Sequence, residues 1–301
     1  MLIGGLLVWA LSVATFWWTG VTTLIPPIIF AGSFLVPAVV VVWVFEREQF
    51  TGASPEGEKT TLTVPLLVTA FAGAGLLGMI ISALLEATLL PRPSFIFFPG
   101  VAVIEETVKL LLVVALAHGL GTYLLRDGMV LGATVGFGFA AFESSGYAFN
   151  ALMGAQSGEL TALVETQMVR ALLAPIGHGL WTALAAGALF ATSRNGHLRL
   201  SASVAGWWLI VVLLHMLWDM SHGMAAALSY LCTGAPIDWN AVQNGAVPDP
   251  TQAQAHYDAL FTWLFSTASA VIGLILVRLM WIKGRAVVPG FPYGPDHDPS
   301  T

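Results

Sequence analysis

Ser94-Phe-Ile-Phe-Phe-Pro-Gly-Val-Ala-Val-Ile-Glu105-Glu106-Thr-Val-Lys109-Leu-Leu-Leu-Val-Val-Ala-Leu-Ala117 decides how this chain is read. At 1.5 Å per residue a helix over this stretch spans the ~30 Å hydrocarbon core of a bilayer. It is apolar except for two adjacent carboxylates and an amine. An ionisable group at the centre of a membrane helix costs at least roughly 2.5–3.5 kcal/mol on insertion scales. Three in one span are tolerable only if they face a polar cavity shared with other helices.

The rest of the chain agrees that lipid is the solvent. Of 301 residues, 57% are hydrophobic and 9% charged, against about 25% charged in soluble domains. Besides 94–117, the spanning segments are Leu2–Thr19, Pro27–Phe45, Val64–Leu85, Gly128–Leu152, Val169–Thr192, Ala202–Tyr230 and Leu260–Ile282. The fold class is therefore all-α: a polytopic membrane protein of about eight transmembrane helices. Residues 1–288 form one transmembrane domain with the site in 94–230, and 289–301 (within Pro289-Gly-Phe-Pro-Tyr-Gly-Pro and beyond) read as a disordered cytoplasmic tail. The N-terminal segment lacks the basic region and small-residue cleavage site of a signal peptide and reads as a retained first span. The single cysteine, Cys232, excludes an intrachain disulfide and reads as a small buried apolar residue. The net charge of −6 and the lack of a basic run exclude a nucleic-acid partner.

Lys and Arg placement sets the orientation. With the N-terminus cytoplasmic, Arg47, Lys59, Arg126, Arg194, Arg199, Arg278, Lys283 and Arg285 fall on the cytoplasmic side and only Arg92 outside. Both termini are then cytoplasmic, in the cell membrane. The loop from Cys232 to Asp258 carries no Lys or Arg, as an external loop should.

The remaining intramembrane ionisable residues are Glu143 on helix five, His178 on helix six with Arg170 at its mouth, and His215 and Asp219 on helix seven. Glu105 and Glu106 stand four and three residues before Lys109, so each can reach it from one helix face. His215 and Asp219 are likewise four apart, as are Phe139 and Glu143, with Ser144 and Tyr147 close by. Glu105 lies about 11 residues into its helix, ~17 Å deep at 1.5 Å per residue. The groups on the other three helices fall at a similar level, between the bilayer midplane and the external face. Four helices, four to seven, thus form one polar core. Lys109 and Arg170 read as supporting residues, Lys109 neutralising a carboxylate and Arg170 also serving as an interfacial anchor. Glu86 reads as interfacial, Glu46, Glu48, Glu56 and Glu58 as a solvated loop. His118, His197, His222, His256 and His297 are assigned no chemistry.

These motifs resemble those of PrsW-type intramembrane proteases. Glu105-Glu-Thr-Val-Lys109 looks like their EExxK motif, Phe139-Ala-Ala-Phe-Glu143 their aromatic-then-glutamate motif, and His178 and His215-Met-Leu-Trp-Asp219 the later ones. The family is similar to the wider group of CAAX-processing prenyl-protein endopeptidases and bacteriocin-immunity-type membrane proteins. Lys109 and Glu143 depart from that wider pattern and point to the PrsW branch. The resemblance implies an endopeptidase acting on a single-pass membrane protein near its external boundary, such as a membrane-bound anti-sigma factor. By the same resemblance Glu105 is the base that takes a proton from water.

The chemistry of the remaining residues follows from their types. Glu106 would orient a histidine or hold Lys109. His178 and His215 would bind the scissile carbonyl or its developing oxyanion, and Asp219 or Glu143 would fix an imidazole tautomer. The favoured reading uses no cofactor. The alternative is zinc held by His178, His215, Asp219 and Glu143. Two other function classes remain open. Buried Glu, Lys, His and Asp also make the relays of a proton-coupled carrier, against which stands the lack of an internal repeat. A non-catalytic membrane scaffold would carry the same residues without turnover.

Overall fold

Gly128, Gly132 and Gly136 recur every four residues, so they form one stripe along a helix. That stripe sets the centre of the molecule. In the computed structural model, which describes residues 1–51, 60–92, 96–154, 160–194, 196–234 and 250–286, the helix carrying it is α5 (Leu125–Gly154). It packs against the half-helix His178–Ala191 backbone to backbone. A Cβ on Gly128 would stand 2.6 Å from the Ala186 carbonyl oxygen, one on Gly132 2.5 Å from that of Thr182, and one on Gly136 would run into that of His178. Small residues at such intervals let helices approach where lipid gives no hydrophobic drive to association.

The other helices among the described residues are α1 (Leu2–Thr19), α2 (Ile25–Thr51), α3 (Val64–Leu89), α4 (Phe97–Ala117), α6 (Leu160–Ala191), α7 (Ala202–Asp219), α8 (Ser221–Thr233) and α9 (Gln252–Ala286). No strand occurs among these residues, and the chain is an all-α, multi-pass membrane protein. Six helices are long and apolar enough on their own to cross a bilayer: α1, α2, α3, α6, α7 and α9. Of the other two long helices, α4 carries Glu105, Glu106 and Lys109, and α5 is rich in glycine and buried along nearly its whole first half. Their polar residues are covered by protein on one face, so these helices need less uniform apolarity.

Three interruptions shape the region around α5. Helix α3 starts with Thr63 as its cap, accepting from the Leu66 N–H, and widens into a π turn at Thr69–Ala74. Just there it crosses α5 most closely, Gly75 against Gly138 and the Phe71 carbonyl against Gly138. Helix α6 is not continuous: Leu160–Leu173 gives way to a 3₁₀ turn at Ala174–Ile176, and the helix resumes at His178. Pro175 lacks the N–H that would continue the ladder, and Gly177 leaves the helical conformation at φ −115°, ψ −126°. Helix α7 stops at Asp219, and α8 starts anew at Ser221 and runs along α9.

Several sequence expectations are corrected. Helix six begins at Leu160, not Val169, and is broken. The single helix over Ala202–Tyr230 is two. Helix two runs to Thr51, which places Glu46 and Glu48 in its last turns rather than in a loop; the expectation for Glu56 and Glu58 lies outside the described residues. The last helix extends from Gln252 to Ala286, and the loop from Cys232 shrinks at both ends because α8 reaches Thr233. His222 and His256 are helical, each near the start of its helix. Cys232 is exposed, not buried, since α8 turns that face away from its packing partner α9. The 289–301 tail also lies outside the described residues.

Candidate active site

Each ionisable side chain is delivered by a different local device. Glu105, Glu106 and Lys109 sit on unbroken α4. Lys109 is completely enclosed, its Nζ 2.5 Å from Glu106 Oε1 and 3.3 Å from Glu105 Oε2. The Phe139 ring of α5 lies under the ammonium, 4.4 Å away, which gives the aromatic of the second motif its role. His178 is the first residue after the break in α6, and its Nδ1 accepts from Lys109 Nζ at 2.9 Å. His215 reaches in from α7, its Nδ1 2.9 Å from Glu106 Oε1.

Glu143 and Asp219 stand behind the imidazoles. Glu143 Oε2 is 3.2 Å from His178 Nε2, and Asp219 Oδ2 is 3.3 Å from His215 Nε2. With Nδ1 receiving the Lys109 proton, His178 offers its Nε2–H to Glu143. His215 lies between two carboxylates, Glu106 at its Nδ1 and Asp219 at its Nε2. Arg170 is more than an interfacial anchor: it pairs with Glu143, donates from Nε to Ser144 Oγ at 2.7 Å and stacks on Tyr147, 4.3 Å from the ring centre. Its charge finds the half-buried Glu143 within reach, so it turns toward the cavity instead of snorkelling.

One member of the glutamate pair differs from the other. Glu105, His178, His215, Glu143 and Asp219 all line a cavity of about 710 Å³, whereas Glu106 and Lys109 lie behind its wall. Glu105 Oε2 is 3.7 Å from His178 Nδ1 and 3.8 Å from His215 Nε2. The two imidazoles face each other edge to face at 4.9 Å. All eight residues named from the sequence thus meet in one region.

Residues 57–239 match the PrsW family intramembrane metalloprotease. The chain belongs to this family. It is therefore an intramembrane protease, and membership selects the peptidase among the three function classes left open by the sequence. No curated protein and no solved structure matches the chain.

The PrsW description points to a metal, where the sequence reading favoured none. One donor atom each from Glu105, Glu106, His178 and His215 lies within 4.8 Å of the other three. Two imidazoles and two carboxylates suit zinc or a similar cation. This set differs from the expected His178, His215, Asp219 and Glu143, because the last two contact the outer nitrogens of the imidazoles. Lys109 Nζ stands among the four donors.

Sequence reasoning passed over other residues. Trp181, one turn after His178, is fully buried and stacks on His215 at 4.7 Å and 25°; its spacing from His178 was the available signal. Glu86 lines the cavity, as do Ser82 and His222. For Glu86 the signal was Ser82, one turn earlier on the same face.

Proposed function

We propose that this protein hydrolyses a peptide bond of a single-pass, membrane-anchored protein near its extracytoplasmic boundary, with Glu105 taking the proton from water. The observation that carries the assignment is the exposure of Glu105, and not Glu106, to a cavity whose wall also holds both imidazoles. A base must reach water, and the adjacent glutamate is tied to Lys109 and His215.

The donor set fits the metal implied by the family. His178, His215 and Glu106 would hold zinc in the place that the Lys109 ammonium takes in this structure, leaving the cavity-facing Glu105 free as proton acceptor. When bound, the ion acidifies water and polarises a carbonyl. The protein's own groups do the rest. Glu143 and Asp219 fix the two rings by their outer nitrogens, a support that typically matters 10–100-fold in such sites. Without the ion, Lys109 holds the paired carboxylates together against their mutual repulsion. After accepting the proton at its cavity-facing oxygen, Glu105 gives it to the leaving amine.

The depth of the site supports a cut near one membrane face. Glu105 is eight residues into α4, ~12 Å at 1.5 Å per residue. The Lys and Arg distribution supports reading that face as external, with both termini cytoplasmic in the cell membrane. A membrane-bound anti-sigma factor is the substrate class that the family resemblance implies.

The test is cleavage of a single-span reporter by the purified protein in proteoliposomes. Glu105→Gln should abolish cleavage with the fold intact, and a chelator should do the same until zinc is restored. Cleavage that persists in Glu105→Gln would overturn the assignment of the base; cleavage indifferent to chelation, with no copurifying metal, would overturn the metal.

A further inference from the structure

Ser82 and Glu86 lie one turn apart on the second part of α3, and both line the cavity that holds Glu105. Ser82 is 2% exposed, yet its Oγ has no hydrogen-bond partner. A helical serine or threonine ordinarily donates to the carbonyl four residues back, as Thr134, Ser145 and Thr182 do in this molecule. The Oε1 of Glu86 is enclosed and equally without a partner. Two adjacent polar groups facing one cavity, both unsatisfied, are waiting for something that the described residues do not supply.

Charge indicates what that is. The cationic side chains of the cavity region are already engaged, Lys109 by Glu105 and Glu106, and Arg170 by Glu143. Five carboxyls (Glu86, Glu105, Glu106, Glu143 and Asp219) share these two cations. Among the described residues Glu86 is the member of the five with no basic or imidazole group in hydrogen-bond reach. Position completes the case. Glu86 is three residues from the end of α3, ~5 Å at 1.5 Å per residue, while Glu105 is ~12 Å into α4. It therefore lies between the α3–α4 end of the bundle and the hydrolytic groups.

We propose that Ser82 and Glu86 form a subsite for a lysine or arginine side chain of the substrate, on the side of the scissile bond nearer the α3–α4 turn. The proposal rests on the protease reading of the same cavity. A carboxylate receives the cation and the serine hydroxyl accepts one of its remaining N–H donors.

The experiment uses the full chain in proteoliposomes and single-span reporters that are identical except for one residue, Lys or Gln, moved along the juxtamembrane stretch. At one position Lys should lower KM about tenfold relative to Gln, the size of one charge-assisted hydrogen bond. Glu86→Gln should remove that preference through KM rather than kcat, and Glu86→Lys should transfer it to a Glu-bearing reporter. Binding is read separately, with fluorescent reporters and the Glu105→Gln protein: the Lys form should bind about tenfold tighter than the Gln form. Equal cleavage and binding of Lys and Gln forms at every position overturns the subsite, and this comparison needs no variant of Glu86. A preference that survives Glu86→Gln also overturns it. Lys-dependent binding without any cleavage by the unmodified protein would keep the subsite and sink the protease reading; cleavage without Lys dependence does the reverse.

Discussion

Helix α5 carries buried charge at both ends, and the two ends behave differently. Toward one end, Glu143 joins carboxylates, imidazoles and cations from α4, α6 and α7 around a cavity. At the other, Arg126 and Asp127 are as deeply enclosed, Asp127 completely so. Asp127 accepts from the Thr61 N–H at 3.1 Å and hydroxyl at 3.4 Å, pinning the segment that leads into α3, and the Arg126 guanidinium lies over Trp281 at 4.6 Å. Neither residue lines the cavity around Glu105. Burial of charge alone therefore does not mark chemistry. Several such groups arriving from different helices at one open volume do, because that arrangement has to carry its desolvation cost and still leave room for a guest.

The contrast is breakable. Glu105→Gln should lower cleavage by ~10³-fold, within the range for loss of a general base, with an unchanged melting profile; a comparable loss from Asp127→Asn would erase the distinction between the two ends. Next in size, Asp219→Asn and Glu143→Gln should each reduce cleavage about 10–100-fold, as expected for partners that orient an imidazole; Asp219→Asn should add nothing to His215→Ala, and Glu143→Gln nothing to His178→Ala. Asp127→Ala should instead act on stability. The orphaned Thr61 N–H costs about 1–3 kcal/mol at most, since the Thr61 hydroxyl also reaches the Thr122 carbonyl at 3.5 Å; the loss is read as a lower melting temperature in detergent with turnover per folded molecule unchanged. The smallest effect is expected at Phe139→Leu. It removes a cation–π contact worth about 0.5–2 kcal/mol, and should loosen Lys109 and reduce cleavage several-fold.

What the sequence made legible follows the same division. Glu105, Glu106 and Lys109 could be placed on one helix face because intrahelical spacing is fixed, and His215 and Asp219 for the same reason. The shared depth of four helices was readable from residue counts. Which of two adjacent glutamates sees water was not, since azimuth relative to neighbouring helices is a tertiary property. The split in α6 was signalled by Pro175 and Gly177, but an apolar run on both sides made one helix the simpler reading. Asp127, next to a predicted helix start, carries no local signal of its role. Only its partner at Thr61, far away in the chain, reveals it as a clamp.

The π turn at Thr69–Ala74 has one more effect. An additional residue in a helical turn advances everything beyond it by about 100° around the axis, the angle per residue in a 3.6-residue turn. Ser82 and Glu86 lie beyond that turn and owe their heading to it. A regular α-helix through the same stretch would rotate both toward a different neighbour while leaving every residue identity untouched, so a single-residue deletion there would re-aim a whole wall of the chamber like a key cut one notch out of phase.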